Sequence, residues 1–382
     1  MRYDVVIVGA GIGGAVLALD LGKRGWRVAL VERESIPPRI ARPEVLWGAT
    51  LRALEQYGIA EKIRDACSVR LERIEIGGAK PWLTVTRGDF ARADVEAFST
   101  NPSMTRAVIA DAALATGNVD VHRGVVVEDL VRGGVRAKRG DESFTIEAAI
   151  VVGDDGANSV VRTRLGIAIA FNTFPIDFVT AMIPRWPLPP NRVRVWLGDL
   201  PAAFIPWPRG EGVLLAPMPA DRAKRFFEQP ADVFWNALER VTPMAGAMRE
   251  QLDFPRDFTR VARPFGHAES YVADGVALIG DAAHPMTPAG GQGANASIAD
   301  ALALADVIHE RKSLVEYEQI RRPRNEQSIS FSRIARGVFR AGRFLPAGVL
   351  VPAAMRTINA LGWPKRGAIR TFANAFNGVR RR

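Results

Sequence analysis

The sequence predicts an α/β fold: a Rossmann-like nucleotide-binding domain, interleaved with an antiparallel sheet and followed by a helical C-terminal tail. Three observations carry that expectation. A β-branched run, DVVIV at residues 4–8, leads at once into GAGIGG and an apolar-periodic segment, AVLALDLGKRG. Two later apolar runs end in turns of their own, Asp155–Gly156 in IVVGDDGANSVVR and Gly280–Asp281 in VALIGD. Between those turns, residues 192–219 alternate polar and apolar side chains around turn signals, as strands of an antiparallel sheet do.

The first element is the most constrained. Gly9, Gly11 and Gly14 form G-x-G-x-x-G between a strand and a helix, and WRVALVER supplies a second strand ending at Glu32 and Arg33. Gly9 permits the tight turn, Gly11 a close approach of a diphosphate, and Gly14 close packing of helix on strand. The helix N-terminus receives negative charge, and Glu32 accepts from ribose hydroxyls. The motif predicts a bound dinucleotide and leaves NAD and FAD equally open. The Asp-Gly turn precedes a polar stretch and a helix. The Gly-Asp turn precedes a glycine-rich loop and the helical NASIADALALADVI.

These three junctions, in this order, resemble the class A flavoprotein monooxygenases, the family of para-hydroxybenzoate hydroxylase. The resemblance covers most of residues 1–330. It implies FAD as cofactor, NADPH or NADH as electron donor, and hydroxylation of an aromatic or electron-rich small molecule through a flavin C4a-hydroperoxide. It also implies roles residue by residue. Asp281 is the match to the aspartate on the ribityl chain; Gly293, Ala294 and Asn295 match the segment facing the flavin pyrimidine edge. Arg106 matches a helix arginine near the FAD phosphates, Arg42 a loop arginine near the flavin, and Asp155 an aspartate contacting both FAD and NAD(P)H. Asp154 departs from the pattern, since an alanine is usual there.

The resemblance implies a discontinuous FAD-binding domain (1–72, 98–175 and 262–330), with 73–97 and 176–261 forming a substrate-domain sheet laid over the flavin. Trp196, Phe204, Trp207 and Met218 are that sheet's conspicuous side chains and the candidates for the substrate pocket, each with sheet packing as the alternative. Pro288 joins them, because the family's loop faces the reacting ring there.

Charge and composition narrow the rest. Net charge is +10, but eleven of the 51 Lys and Arg follow Glu326 with no acid among them; the preceding residues balance to −1. A basic body that would suggest nucleic acid is therefore not expected. In FSRIARGVFRAGRFL (331–345) arginines at 333, 336, 340 and 343 face Phe331, Ile334, Val338 and Leu345, a basic amphipathic helix. It packs on the FAD-binding domain or contacts an anionic membrane peripherally. The single cysteine, Cys67, fits a reducing, cytoplasmic setting. No signal peptide, spanning segment or metal site is expected. No catalytic side chain is assigned, although Tyr57, His267 and Tyr271 are bases by type. A flavin-dependent reductase, a flavin halogenase and a non-enzymatic flavin sensor stay open as alternatives.

Overall fold

The computed structural model describes residues 2–36, 42–172, 176–197, 200–240, 242–262, 265–286, 291–341 and 347–374, with the backbone alone for 172, 330–341, 347–351 and 371–374. Its first layer is a sheet whose parallel strands run in the order Val276–Leu278, Glu142–Gly153, Arg2–Val8, Val28–Glu32 and Val119–Arg123. Val5, Val6 and Ile7 are all buried, as a parallel strand covered on both faces requires. Helix Ile12–Lys23 crosses between the first two strands and is buried from residue 12 to 22. Helices Pro102–Leu114 and Gly293–His309 pack against it. The hairpin Val126–Val131 and Gly134–Arg139 extends the sheet antiparallel beside Glu142–Gly153.

A seven-stranded sheet forms the second layer, in the order Phe258–Val261, Ile176–Ile183, Gly212–Pro219, Ala202–Pro206, Arg192–Trp196, Arg73–Gly77 and Pro81–Thr86. Only the pairing of Arg192–Trp196 with Arg73–Gly77 is parallel. The two segments read as strands, 73–97 and 192–219, thus meet in one sheet. Residues 87–93 differ from that reading: they form helix Arg87–Ala93. A reciprocal cap explains it. Thr86 Oγ1 accepts from the Asp89 N–H at 3.3 Å, and Asp89 Oδ2 accepts from the Thr86 N–H at 2.9 Å. Helices Ala220–Phe226, Ala231–Glu239 and Ala245–Arg249 cover one face of the sheet.

A three-stranded sheet, Glu44–Trp47, Ala97–Thr100 and Ser68–Arg70, joins the two layers. Leu46 sits in the core of the first layer, while Val45, Trp47 and Ala97 pack with Ile74, Val193, Val195 and Ile205 of the second.

Helix Leu314–Ala341 runs unbroken through the expected boundary at residue 331 and packs on Gly293–His309. The last helices, Ala347–Leu361 and Trp363–Asn374, follow the segment 331–345 for which packing on the FAD-binding domain or membrane contact is expected. They lie against the edge strand Pro81–Thr86 and helix Arg87–Ala93 of the second layer. Lys365 Nζ donates to the Thr84 carbonyl at 2.9 Å and pairs with Asp89 at 3.0 Å. Arg370 donates to the Ala93 and Arg92 carbonyls, and Ile369 enters the apolar cluster beneath. Unpaired edge backbone and an acidic cap draw basic side chains there. The side chains at 333, 336, 340 and 343 lie outside the described residues. Among the described residues, no helix is long and apolar enough to cross a membrane.

Candidate active site

A cleft of about 450 Å³ opens where the parallel strands end, the usual ligand position of such sheets. The first turn contributes Gly9 and Gly11, and the second strand's end contributes Glu32 and Arg33. Arg42, Arg106, Asp155, Asp281, Gly293 and Ala294 also line it. Ten of the twelve residues expected from sequence to hold cofactor therefore face one space.

Local geometry explains the glycines. Gly9 has φ +104°, and a Cβ there would meet the Asp154 carbonyl oxygen at 2.3 Å. Gly14 allows helix Ile12–Lys23 to sit against the strand end, since its Cβ would lie 2.3 Å from the Gly9 carbonyl. Two helix N-termini open on the cleft, those of Ile12–Lys23 and Gly293–His309, and neither N-cap residue, Gly11 or Gln292, donates a side-chain cap. Both ends favour negative charge. Glu32 is held ready by two N–H donors, Ala10 at 3.1 Å and Glu34 at 3.0 Å.

The lining is polar and short of partners. Arg106 Nη2 and Asp155 Oδ1 are buried with no hydrogen-bond partner, and both residues line the cleft. Such orphans fit a polar, phosphate-bearing ligand that completes them. Burial lowers the Arg106 guanidinium from its ordinary value, and Glu44 opposes that shift. Burial also raises Asp155, against hydrogen bonds that include the Val160 N–H at 2.7 Å and the Val161 N–H at 3.1 Å on its Oδ2. Glu44, which sequence reasoning missed, is a buried carboxylate in the cleft wall, raised by burial against the pull of Arg42, the Thr100 hydroxyl and Arg106. An acid in an apolar run between a proline and a valine gave no motif by which to find it.

The other two cofactor candidates lie just behind the lining. Gly14 serves helix packing, as above. Asn295 is buried and acts through its side chain: Oδ1 accepts from the Trp47 N–H at 3.1 Å and the Thr50 hydroxyl at 2.6 Å. Its Nδ2 donates to the Val45 and Gly291 carbonyls. Asn295 thereby ties the small sheet to the start of Gly293–His309.

Strand alternation separates the substrate-pocket candidates from the cleft. Trp196, Phe204 and Met218 share the face that packs on the helices of residues 220–249, with Trp196 and Phe204 edge-to-face at 5.2 Å between centroids. The opposite face carries Phe178 and Leu215, which cluster with Met286 of the cleft wall. Side chains alternate with period two, so a pocket on that face is lined by neighbours of the bulky residues. Trp207 continues the parity of Ala203 and Ile205 rather than that of Phe204, and it is buried with an unpartnered indole N–H. Pro288 lies outside the described residues.

The histidine next to the Gly-Asp turn is structural. His284 is buried and its Nε2 meets Asp300 Oδ2. Asp300 also accepts from Arg321 Nε at 2.7 Å, Asn325 Nδ2 at 3.0 Å and the Gly280 N–H at 3.1 Å. The bases named by type are likewise engaged: Tyr57 hydrogen-bonds Asp20, and Tyr271 meets His267 Nε2 at 2.9 Å. None of the three lines the cleft.

A dinucleotide cleft with two helix N-termini in its lining, set against an antiparallel sheet, defines the class: a flavin-dependent oxidoreductase. The chain matches the family model described as FAD binding domain over residues 2–332 and belongs to that family. Its relatives include proteins named as monooxygenases and hydroxylases, and FAD is its cofactor. It is 28% identical to rifampicin monooxygenase of Streptomyces venezuelae, an alignment covering 79% of this chain and 63% of that protein. It is 27% identical to kynurenine 3-monooxygenase of Salinispora tropica, covering 85% and 78%. Among solved structures, p-nitrophenol 4-monooxygenase PnpA of Pseudomonas putida superposes with a TM-score of 0.84 at 20% identity, covering all of both chains, and shares the fold.

Proposed function

We propose that the protein hydroxylates an aromatic or otherwise electron-rich, lipophilic small molecule, using dioxygen and electrons from NADH or NADPH. The observation that supports this most is a cleft with two helix N-termini in its lining, meeting an apolar sheet face at Met286. Bound FAD supplies hydride acceptance and oxygen activation. The chain's own residues bind, orient and shield. Glu32 accepts from ribose hydroxyls, Asp281 from the ribityl chain, and Arg42 and Arg106 pair with phosphate and flavin oxygens. Arg33 adds charge at the same strand end, and Asp155 offers its unpartnered Oδ1. The N–H groups at Gly293 and Ala294, steadied by Asn295, receive the negative charge of the reduced ring. Phe178, Leu215 and Met286 exclude water and hold the substrate. In this reading 1–72, 98–175 and 262–330 form the FAD-binding domain, and 73–97 with 176–261 the substrate domain.

The test is NAD(P)H oxidation under air across phenols, quinolones, quinones and polyketides, with labelled dioxygen. A substrate should accelerate oxidation and gain one labelled oxygen. Turnover that persists without oxygen identifies a reductase, halide-dependent product a halogenase, and no turnover with any compound a sensor; each rejects hydroxylation.

Contact with an anionic membrane is the finer reading of the tail, in a cytoplasmic protein. Ile358, Leu361 and Trp363 stay exposed where the last two helices meet, in a segment without acids after Glu326. Flotation with anionic liposomes should fall for Trp363→Ser; equal flotation, or none by the intact chain, rejects it.

A further inference from the structure

The structure puts the Asp154 carboxyl at a helix N-terminus that lines the cleft. Oδ2 accepts from the Gly14 N–H at 2.8 Å, in the first turn of helix Ile12–Lys23. The same oxygen lies 2.5 Å from where a Cβ on Gly11 would be, the glycine at which a diphosphate approaches. Oδ1 lies 2.8 Å from the corresponding point on Gly280, beside Ser297. The carboxyl is thus wedged between the glycine loop and the Gly-Asp turn, and the residue lines the cleft.

Its surroundings are mostly acidic. Asp155 follows in the chain, Asp281 faces it from the Gly-Asp turn, and Asp300 faces it from helix Gly293–His309. Tyr317 of helix Leu314–Ala341 is also within electrostatic reach. Arg106, from helix Pro102–Leu114, is the cation that senses it, and its own charge is disfavoured by burial. Burial and the neighbouring aspartates push the Asp154 carboxyl well above its ordinary value, against the Gly14 hydrogen bond. A bound diphosphate adds negative charge at the same helix end and raises it further.

We infer that Asp154 accommodates FAD as the neutral acid, so that wherever this carboxyl is ionised in the FAD-free protein, cofactor binding takes up one proton from solvent there. Above the pH at which Asp154 ionises in the FAD-free protein, its carboxylate and the diphosphate compete for one helix N-terminus, and affinity falls. Asp154 is an affinity-setting residue whose protonation state gates the cofactor. The inference rests on the cleft being the FAD site.

Flavin-free protein titrated with FAD from pH 5.5 to pH 9, read by flavin fluorescence, tests it. For the intact chain, Kd should rise with pH, approaching about tenfold per pH unit as one proton is linked. Asp154→Asn should remove that rise and bind at least about tenfold more tightly than the intact chain at the alkaline end. Asp154→Ala, which removes the carboxyl without offering an amide, should be equally flat. A flat profile for the intact chain overturns the inference, and so does a rise that survives in both variants, which assigns the proton to another group. Absence of FAD binding by all three chains overturns the site assignment beneath it.

Discussion

Replacing Asp300 by asparagine removes the charge that holds the Gly-Asp turn to helix Leu314–Ala341. Asp300 is fully buried between His284 and Arg321, with Asn325 and the Gly280 N–H completing its contacts. Burial alone would raise its carboxyl; His284 and Arg321 instead hold it well below the usual carboxylate range. Asp300→Asn leaves the buried Arg321 guanidinium unneutralised, with its Nη1 already lacking a partner. Breaking a buried pair from one side costs about 3–5 kcal/mol. For 382 residues, an unfolding entropy of about 2.1 cal/mol/K per residue totals about 0.8 kcal/mol/K, so Tm should fall by about 4–6 °C. Tryptophan-fluorescence melting of the flavin-free protein at pH 7 measures it. Asp300→Asn combined with Arg321→Met removes both charges yet keeps a side-chain acceptor for His284, Asn325 and the Gly280 N–H, and should recover part of the loss, because no guanidinium is left unpaired. The sign of the pH dependence follows from the lowered carboxyl: its contribution is present above the unfolded value of about 3.9 and disappears only as pH falls through the lower folded value. A Tm within about 1 °C of the intact protein for Asp300→Asn, or a double variant as damaged as the sum of its singles, would refute this reasoning.

Four further variants separate binding from packing. Asp281→Ala should purify without yellow colour; a variant that keeps full flavin yet loses activity would remove Asp281 from the cofactor's contacts. Arg106→Ala should weaken FAD by roughly 10–150-fold, the worth of a hydrogen bond to a charged group, measured by flavin fluorescence at constant pH. An unchanged Kd would leave its orphaned Nη2 without a ligand. Trp196→Ala should destabilise the second layer by about 3–5 kcal/mol in denaturant melts while the order of preferred substrates stays the same. Phe178→Ala should change that order; the reverse pattern would put the pocket on the helix-covered face of the sheet.

The nucleotide-binding half was legible because its signals are local. Gly14 marks a place where a Cβ would strike the Gly9 carbonyl within the same strand-to-helix turn, so that part of the motif is a local steric consequence, whereas the atom a Cβ on Gly9 would strike belongs to the distant Asp154. Helix 87–93 was missed although Thr86 and Asp89 spell its cap; the alternating residues ahead of it suggested more strand. Which face of the second sheet meets the cleft was not legible at all. Trp196, Phe204 and Met218 announce themselves by size, yet which parity of a strand faces the cleft depends on how two sheets are stacked.

The sequence by itself determined the parallel nucleotide-binding sheet, the dinucleotide cleft at its strand ends and most of the cleft's lining, because glycine turns and buried strands act within short stretches of chain. Tertiary structure alone decided that Glu44 and Asp154 enter the cleft, that Asn295 acts through its side chain, and that the last helices dock on the second sheet. Each of those depends on a meeting of segments far apart in the chain: Thr50 with Asn295, Gly14 with Asp154, Thr84 with Lys365. No local pattern encodes such a meeting; it appears only when burial of the apolar faces has brought the layers together.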